Sequence, residues 1–190
     1  LPPSEEDPWA LPWTMRVPLP TPLVDAMLRH SRPTRYKLSV ELNADGEEAL
    51  RAVVSAMYDV VGLDEEALER TENFVQKCEW PPQRLAGVAS GAREGRSRSH
   101  WHRSALLMVS LGEGEKYWRV RDAAGGGPVY ETTLCAPTKV DAGTEVSVLY
   151  LPPHWSHDVT SKAHSLAVHA YVVPRSQVLD CAFWALARGA

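Results

Sequence analysis

The side chains best suited to chemistry are imidazoles, and six of the seven histidines of this 190-residue chain lie between positions 100 and 169. The segment opens with Ser99-His100-Trp101-His102 and closes with Leu151-Pro152-Pro153-His154-Trp155-Ser156-His157 and Val168-His169-Ala170-Tyr171. On a strand, residues two apart share a face, so His100 and His102 present two imidazoles side by side. A third from an antiparallel neighbour would complete a facial metal site. His157 is the candidate, because Pro152-Pro153-His154 reads as a tight turn that returns the residues after it to the sheet. Three neutral imidazoles suit a divalent first-row metal and leave up to three coordination positions open.

Other residues around this set have two readings each. His154 is either a bulky turn residue or a spare ligand or pocket acid/base. His169 alternates with Tyr171 on an apolar strand, as a buried hydrogen-bonded pair or as part of the site. Trp101 and Trp155 flank the candidate ligands as pocket wall or as core. Arginines 93, 96, 98 and 103 form a solvated loop face or an anion-binding cluster. His30 and His164 read as ordinary surface or core residues.

The elements that must position these groups are mostly short strands. From Pro81-Pro82 onward, apolar segments are short, alternating and separated by turn residues, the pattern of an antiparallel β-barrel or double-sheet sandwich. Residues 1–22 carry seven prolines with Trp9 and Trp13, which forbids regular helix and favours an extended arm. Two tryptophans imply that the arm docks, on its own domain or on a partner subunit. Thr21-Pro22 starts a helix through Leu23, Val24, Met27 and Leu28. A strand is expected over Tyr36 to Leu42, and a turn at Asn43-Ala44-Asp45-Gly46. Helices follow over Glu47 to Val61 and Asp64 to about Lys77. Gly125-Gly126-Gly127-Pro128 is an inter-strand loop with no phosphate-cradling role, since no helix start follows it. The last segment, residues 177–188, reads as a closing helix. The organisation expected is thus an arm (1–22) and a single domain (23–190), helical over about 23–78, barrel over about 83–176.

Composition narrows the class. The chain is 44% hydrophobic and 23% charged, which falls in the soluble globular range. A net charge of -4 gives no reason to expect a nucleic acid. No apolar run approaches the roughly 20 residues of a bilayer span. Cys78, Cys135 and Cys181 lack metal-type spacing and are odd in number, so a reducing cytoplasm is the simplest home. Cys135 reads as core packing. The sequence starts at Leu1 rather than Met, which fits a trimmed N-terminus and leaves a removed targeting segment open. Monomer and homodimer are both compatible with it.

His100-x-His102, Gly114 twelve residues after His102, and Pro152-x-x-x-x-His157 resemble the two cupin motifs, and the resemblance implies a double-stranded β-helix, a small β-barrel. The glutamate ligand usual in cupins, five residues after the second histidine, falls at Leu107. Loss of that carboxylate leaves three histidines, a variant similar to the cysteine dioxygenase family of thiol dioxygenases. Leu111-Gly112-Glu113-Gly114 looks like that family's Leu-Leu-Gln-Gly, Val168-His169-Ala170-Tyr171 like its Leu-His-Leu-Tyr, and Glu72-Asn73-Phe74-Val75 can be laid on its Arg-Asn-Leu-Val. The similarity covers roughly residues 70–184.

The resemblance implies Fe(II) on His100, His102 and His157, a small aminothiol or related thiol and O2 as substrates, and a sulfinate product. It implies that Tyr171, oriented by His169, hydrogen-bonds the bound oxygen or the substrate head group. Departures bear on the substrate. Glu72 stands where the family has the arginine that grips a substrate carboxylate, and a like charge repels one. Glu72 facing the pocket would select a cationic or uncharged thiol, with Arg70, Arg84 or Arg93 as possible replacements for the positive charge. Leu107 also occupies the place of the cysteine that mammalian members crosslink to the tyrosine, and Ala167 replaces a serine. Trp101, Trp155, His154 and Leu107 complete the expected substrate-binding set. Two other functions fit the motifs: a lyase or isomerase using Zn, Mn or Ni, and a cupin that binds a ligand without catalysis.

Overall fold

Alternation of apolar and polar side chains along successive strands decides the architecture, because each strand must bury one face or both. The computed structural model describes residues 9–33, 40–61, 86–91, 96–102, 104–111, 115–122, 126–135, 145–161 and 165–172. The elements run β1 (Trp13–Pro18), α1 (Thr21–His30), β2 (Ser31–Pro33), β3 (Val40–Leu42), α2 (Ala44–Val61), β4 (Ala86–Gly91) and β5 (Arg96–His100). They continue with β6 (Ala105–Ser110), β7 (Glu115–Arg121), β8 (Val129–Cys135), β9 (Glu145–Leu151), β10 (Ser156–Ser161) and β11 (Ser165–Val172).

The pairings are nested: β4 with β11, β5 with β10, β6 with β9, and β7 with β8, all antiparallel. One long hairpin is thereby folded across two sheets, ordered β1-β9-β6-β11-β4 and β5-β10-β7-β8. This is the double-stranded β-helix of cupins, mainly β with N-terminal helices. A small β2-β3 ribbon is separate.

Two cores result. Between the sheets lie Leu106, Met108, Trp118, Val120, Leu134, Leu149, Leu151 and Ala167. On the outer face of the five-stranded sheet, Leu107, Val109, Val146, Val148, Tyr150 and Val168 meet Val24 and Met27 of α1 and Leu50 and Val53 of α2. Each fully buried aliphatic or aromatic side chain there contributes about 2 kcal/mol of transfer free energy.

The Trp-bearing N-terminal segment belongs to this sheet. β1 pairs with β9 from Trp13 opposite Tyr150 to Pro18 opposite Glu145. The Trp13 ring stacks on Tyr150 at 5.2 Å, Trp9 meets Tyr150 edge-on at 5.1 Å, and the Tyr150 hydroxyl donates to the Trp9 carbonyl at 3.0 Å. β1 is an edge strand, where proline is tolerated because its missing N–H faces no neighbour.

One expected turn is corrected. Asn43-Ala44-Asp45-Gly46 opens α2: Asn43 Oδ1 accepts the Gly46 N–H at 2.9 Å, an N-cap bond that satisfies one of the helix's orphan donors. Asn, Asp and Gly serve both turns and caps, and the acidic residues that follow favour the cap. α1 begins at Thr21 as expected, with the Pro20 carbonyl accepting from Leu23 and Val24. Among the described residues no helix is long and apolar enough to cross a membrane. The helices expected over 64–77 and 177–188, most of the strand expected from Tyr36, and Glu72, Arg70, Arg84, Arg93 and His164 lie outside the described residues.

Candidate metal centre

Register places the candidate ligands. His157, second residue of β10, stands directly opposite His100 at the end of β5, and His102 follows two residues later, just beyond the strand. The turn between β9 and β10 brings them together: the Trp155 N–H reaches the Pro152 carbonyl at 3.4 Å, and the His154 N–H donates to the His102 carbonyl at 2.8 Å. The second bond ties the turn to the strand end that carries the His-x-His pair. His154 adopts a φ of 66°, the left-handed conformation usually left to glycine, which the tight turn requires.

The three rings stand close, with centroids 4.4 Å apart for His100 and His157, 5.1 Å for His100 and His102, and 5.2 Å for His102 and His157. One nitrogen of each lies within 4.8 Å of the other two, and among the described residues this is the only such group of three or more metal-ligating side chains. Hydrogen bonds orient two of them. His100 Nδ1 donates to the Arg98 carbonyl at 2.8 Å and His157 Nδ1 to the Trp155 carbonyl at 3.3 Å. A carbonyl only accepts, so each Nδ1 carries the proton and each Nε2 keeps its lone pair for a metal.

The electrostatics agree. Burial, then His100 and His102, push the pKa of His157 down to about 3, against a smaller opposing effect of the bond to Trp155. Burial, then His100 and His169, push His102 down to about 4. Both are neutral near pH 7, the ligand form, so a metal need not displace protons from them. An ion about 2.1 Å from each nitrogen needs nitrogens roughly 3–3.5 Å apart, and the three nitrogens already stand within 4.8 Å of one another. The residues present therefore fit a divalent metal. Asp158, adjacent in sequence, is no ligand: strand alternation sends it to the other face, 3.6 Å from Arg96.

Tyr171 meets His102 edge-on with centroids 5.0 Å apart, and burial raises its pKa. His169, two residues earlier on the same face, lies 5.4 Å from the Tyr171 ring, an edge contact, and its Nδ1 has no hydrogen-bond partner among the described residues. Burial and the Lys116 ammonium lower the His169 pKa to about 4. Trp155 packs on the inner core beside Tyr130 at 5.6 Å, whereas Trp101 is exposed and lies against the His154 ring at 5.3 Å.

Leu107, expected beside the metal as a substrate contact, needs correcting. It is fully buried in the outer core, on the sheet face turned away from the histidines. Register explains this. Leu106 pairs with Tyr171 and Met108 with His169, so those two residues face the barrel interior and Leu107, opposite Ala170, faces the helices. Both inward positions are apolar, so the interior lacks a carboxylate from this strand whichever spacing is counted.

Sequence reasoning missed three inward residues of β6 and β7, namely Ser110, Lys116 and Trp118. The signal for Lys116 was present: in Glu115–Arg121 it shares parity with Trp118 and Val120, and a lysine on the apolar face of an alternating strand is anomalous.

No family model and no curated protein matches the sequence. Solved structures match parts of the chain at low identity. The Drosophila melanogaster CENP-C cupin domain matches at 8% identity over 49% of this chain and 64% of that chain, with a TM-score of 0.38. YcfD, a ribosomal oxygenase from Escherichia coli, matches at 17% identity over 55% of this chain and 28% of that chain, TM-score 0.37. Lactobacillus farciminis oxalate decarboxylase matches at 16% identity over 47% and 24%, TM-score 0.37. By its own strand pairing, the chain is a cupin-fold protein whose barrel mouth holds a three-histidine group able to bind a divalent metal.

Proposed function

We propose that this protein is a mononuclear non-haem iron dioxygenase that oxidises a small thiol to its sulfinate. The observation that carries the reading is the composition of the site: three imidazoles able to ligate, no carboxylate beside them among the described residues, and a half-buried tyrosine against one of them. Fe(II) held by His100, His102 and His157 would supply the chemistry that brings a thiolate and dioxygen together. The overall change is R–SH + O2 → R–SO2H; both oxygen atoms end on sulfur, whose four electrons reduce dioxygen.

The chain's own residues then have defined tasks. Backbone carbonyls of Arg98 and Trp155 hold two imidazoles in the ligating tautomer. Leu106 and Met108 line the inner wall and keep water from the reacting sulfur. The Tyr171 hydroxyl, a phenol that burial holds still further from ionisation, donates a hydrogen bond into the site.

The test is anaerobic metal loading followed by thiol-dependent oxygen uptake. The wild type should hold about one iron per chain, consume oxygen with a small thiol and release a sulfinate detectable by mass spectrometry. His102→Ala and His157→Ala should lose both metal and activity. A wild type that takes up no metal, or that turns over without oxygen, ends this reading.

A further inference from the structure

A pair of hydroxyls stands behind two of the metal-ligating histidines. Ser99 precedes His100 on β5 and Ser156 precedes His157 on β10, so strand alternation turns both serines to the reverse face of the sheet. Their hydroxyls are hydrogen-bonded at 2.7 Å, and the histidines that follow them stand directly opposite one another. The bond therefore clamps the two strands at the register that brings His100 and His157 together. His100 depends on this clamp more than His157 does. His157 is 3% exposed and lies against the Trp118 ring at 5.3 Å, whereas His100 is exposed and is oriented by its bond to the Arg98 carbonyl.

The segment that carries Ser99 is led by arginines. Arg96-Ser97-Arg98-Ser99 sets one guanidinium three residues before the hydroxyl and another directly before it. Arg96, Arg98 and Ser99 are exposed, and β5 is an edge strand of its sheet. An extended, arginine-led segment at a sheet edge suits an enzyme that reads guanidinium groups in line through acidic pockets, as arginine-directed protein kinases do. The structure separates the two serines of this motif. Ser97 is half-buried, and its Oγ accepts the Val159 N–H at 3.1 Å, a bond that holds β5 to β10. Ser99 is exposed and its oxygen is bonded to a hydroxyl, so it gives up one weak bond when it turns outward. Cationic neighbours for a phosphate are in place. Arg98 forms no ion pair among the described residues, Arg96 reaches Asp158 only at 3.6 Å, and the exposed Arg121 stands opposite Ser156 on β7.

We propose that Ser99 is a phosphorylation site for an arginine-directed protein kinase, and that the phosphate loosens His100 from the three-histidine group. The effect on His100, though not the modification, rests on the reading of that group as a metal centre. In the transfer the Ser99 oxygen bonds to the γ-phosphorus of ATP and the bond from that phosphorus to its bridging oxygen breaks. ADP leaves, and the hydroxyl proton passes to a base of the kinase. The product carries close to two negative charges and has lost the proton it could share with Ser156. A phosphate is also too large for the space of a 2.7 Å oxygen contact. The clamp behind His100 is thereby opened, and Arg98, whose carbonyl orients that imidazole, is drawn to the new anion. Both supports of one ligand lie at the modified residue or beside it.

The experiment treats the folded protein with ATP and the catalytic subunit of cyclic-AMP-dependent protein kinase and maps the phosphate by peptide mass spectrometry. Treated and untreated protein are then titrated with Co(II), followed by its absorption spectrum, and melted side by side. The wild type should gain its phosphate on Ser99. Ser99→Ala should gain none there, and Arg96→Gln should gain it at least about tenfold more slowly. The phosphorylated protein should bind Co(II) about tenfold more weakly than the untreated protein, with the same cooperative melting. Ser156→Ala, which removes the clamp without adding charge, should show part of that loss while Ser99 is still modified. A phosphate that maps to Ser97, none on Ser99, or equal Co(II) affinity in the two forms overturns the proposal. Co(II) bound by neither form, with Ser99 phosphorylated, ends the metal-centre reading and the effect on His100 with it, while the modification stands.

Discussion

The two faces of the five-stranded sheet are built from the same three strands, β6, β9 and β11, and do opposite work. The outer face is uniformly apolar: Leu107, Val109, Val146, Val148, Tyr150 and Val168 meet helices and the Trp13 strand in a continuous core. The inner face mixes Leu106, Met108 and Leu149 with Ser110, His169 and Tyr171, and across the barrel it meets Lys116, Trp118 and His157. Neighbouring residues on one strand, a single position apart, thus belong to different regimes. The outer core supplies stability, so the inner one can hold buried imidazoles, an ammonium and donors without partners among the described residues, groups that by themselves oppose folding.

That division is open to direct attack. The largest effect is expected from an outer-core truncation. Leu107→Ala should lower unfolding free energy by about 3 kcal/mol, since it removes a fully buried side chain whose surroundings are rigid strands. Metal bound per folded molecule should stay unchanged. Denaturant titration beside metal analysis checks both halves, and a metal site that disappears before the fold does would show that the two faces are coupled.

Next in size is the buried ammonium, whose pKa falls from 10.5 to about 8 on folding. Each pKa unit is worth roughly 1.4 kcal/mol, so Lys116→Met should stabilise the protein at neutral pH by about 3 kcal/mol. The sign follows from linkage: below about pH 8 the lysine is charged in both states and its burial penalty is fully present. Between about pH 8 and 10.5 the unfolded chain binds more protons, so the wild type gains stability as pH rises. The gap between variant and wild type should therefore shrink by about 2 kcal/mol from pH 7 to pH 9.5. A gap independent of pH would mean that the ammonium is paired.

The smallest effect tests the turn that joins the two halves of the site. His154→Gly removes a left-handed non-glycine residue and should stabilise by about 1 kcal/mol or less, reduced by loss of the ring's contact with Trp101. The denaturation midpoint should rise slightly with no change in metal content. A fall of more than about 1 kcal/mol would show that the Trp101 contact outweighs the strain.

Much of the centre is legible in the sequence. The His100-x-His102 spacing points to two neighbouring imidazoles by strand alternation, although β5 ends at His100 and His102 lies just beyond it, tied to the turn through the His154 N–H. Pro152-Pro153-His154 announces the turn that returns His157, since proline presets one dihedral angle and ends the ladder. The run of short alternating segments after residue 82 indicates a β-barrel for the same period-two reason. Asn43 to Gly46 was less legible, because the residues that favour a turn also favour a helix N-cap, and only the strand and helix on either side decide between them.

What the sequence determined by itself is local: which residues alternate, where turns must fall, and which side chains are able to ligate a metal. Tertiary structure alone decided parity and partnership. Leu107 faces the helices because Leu106 is the residue aligned with Tyr171, and that register is set by pairing between β6 and β11, segments far apart along the chain. The N-terminal tryptophans join the sheet because β9 leaves an edge and Tyr150 a ring for them to cover. Lys116 of β7 and His169 of β11 belong to opposite sheets that close over one interior, a juxtaposition of non-adjacent strands that no pattern within a single strand encodes.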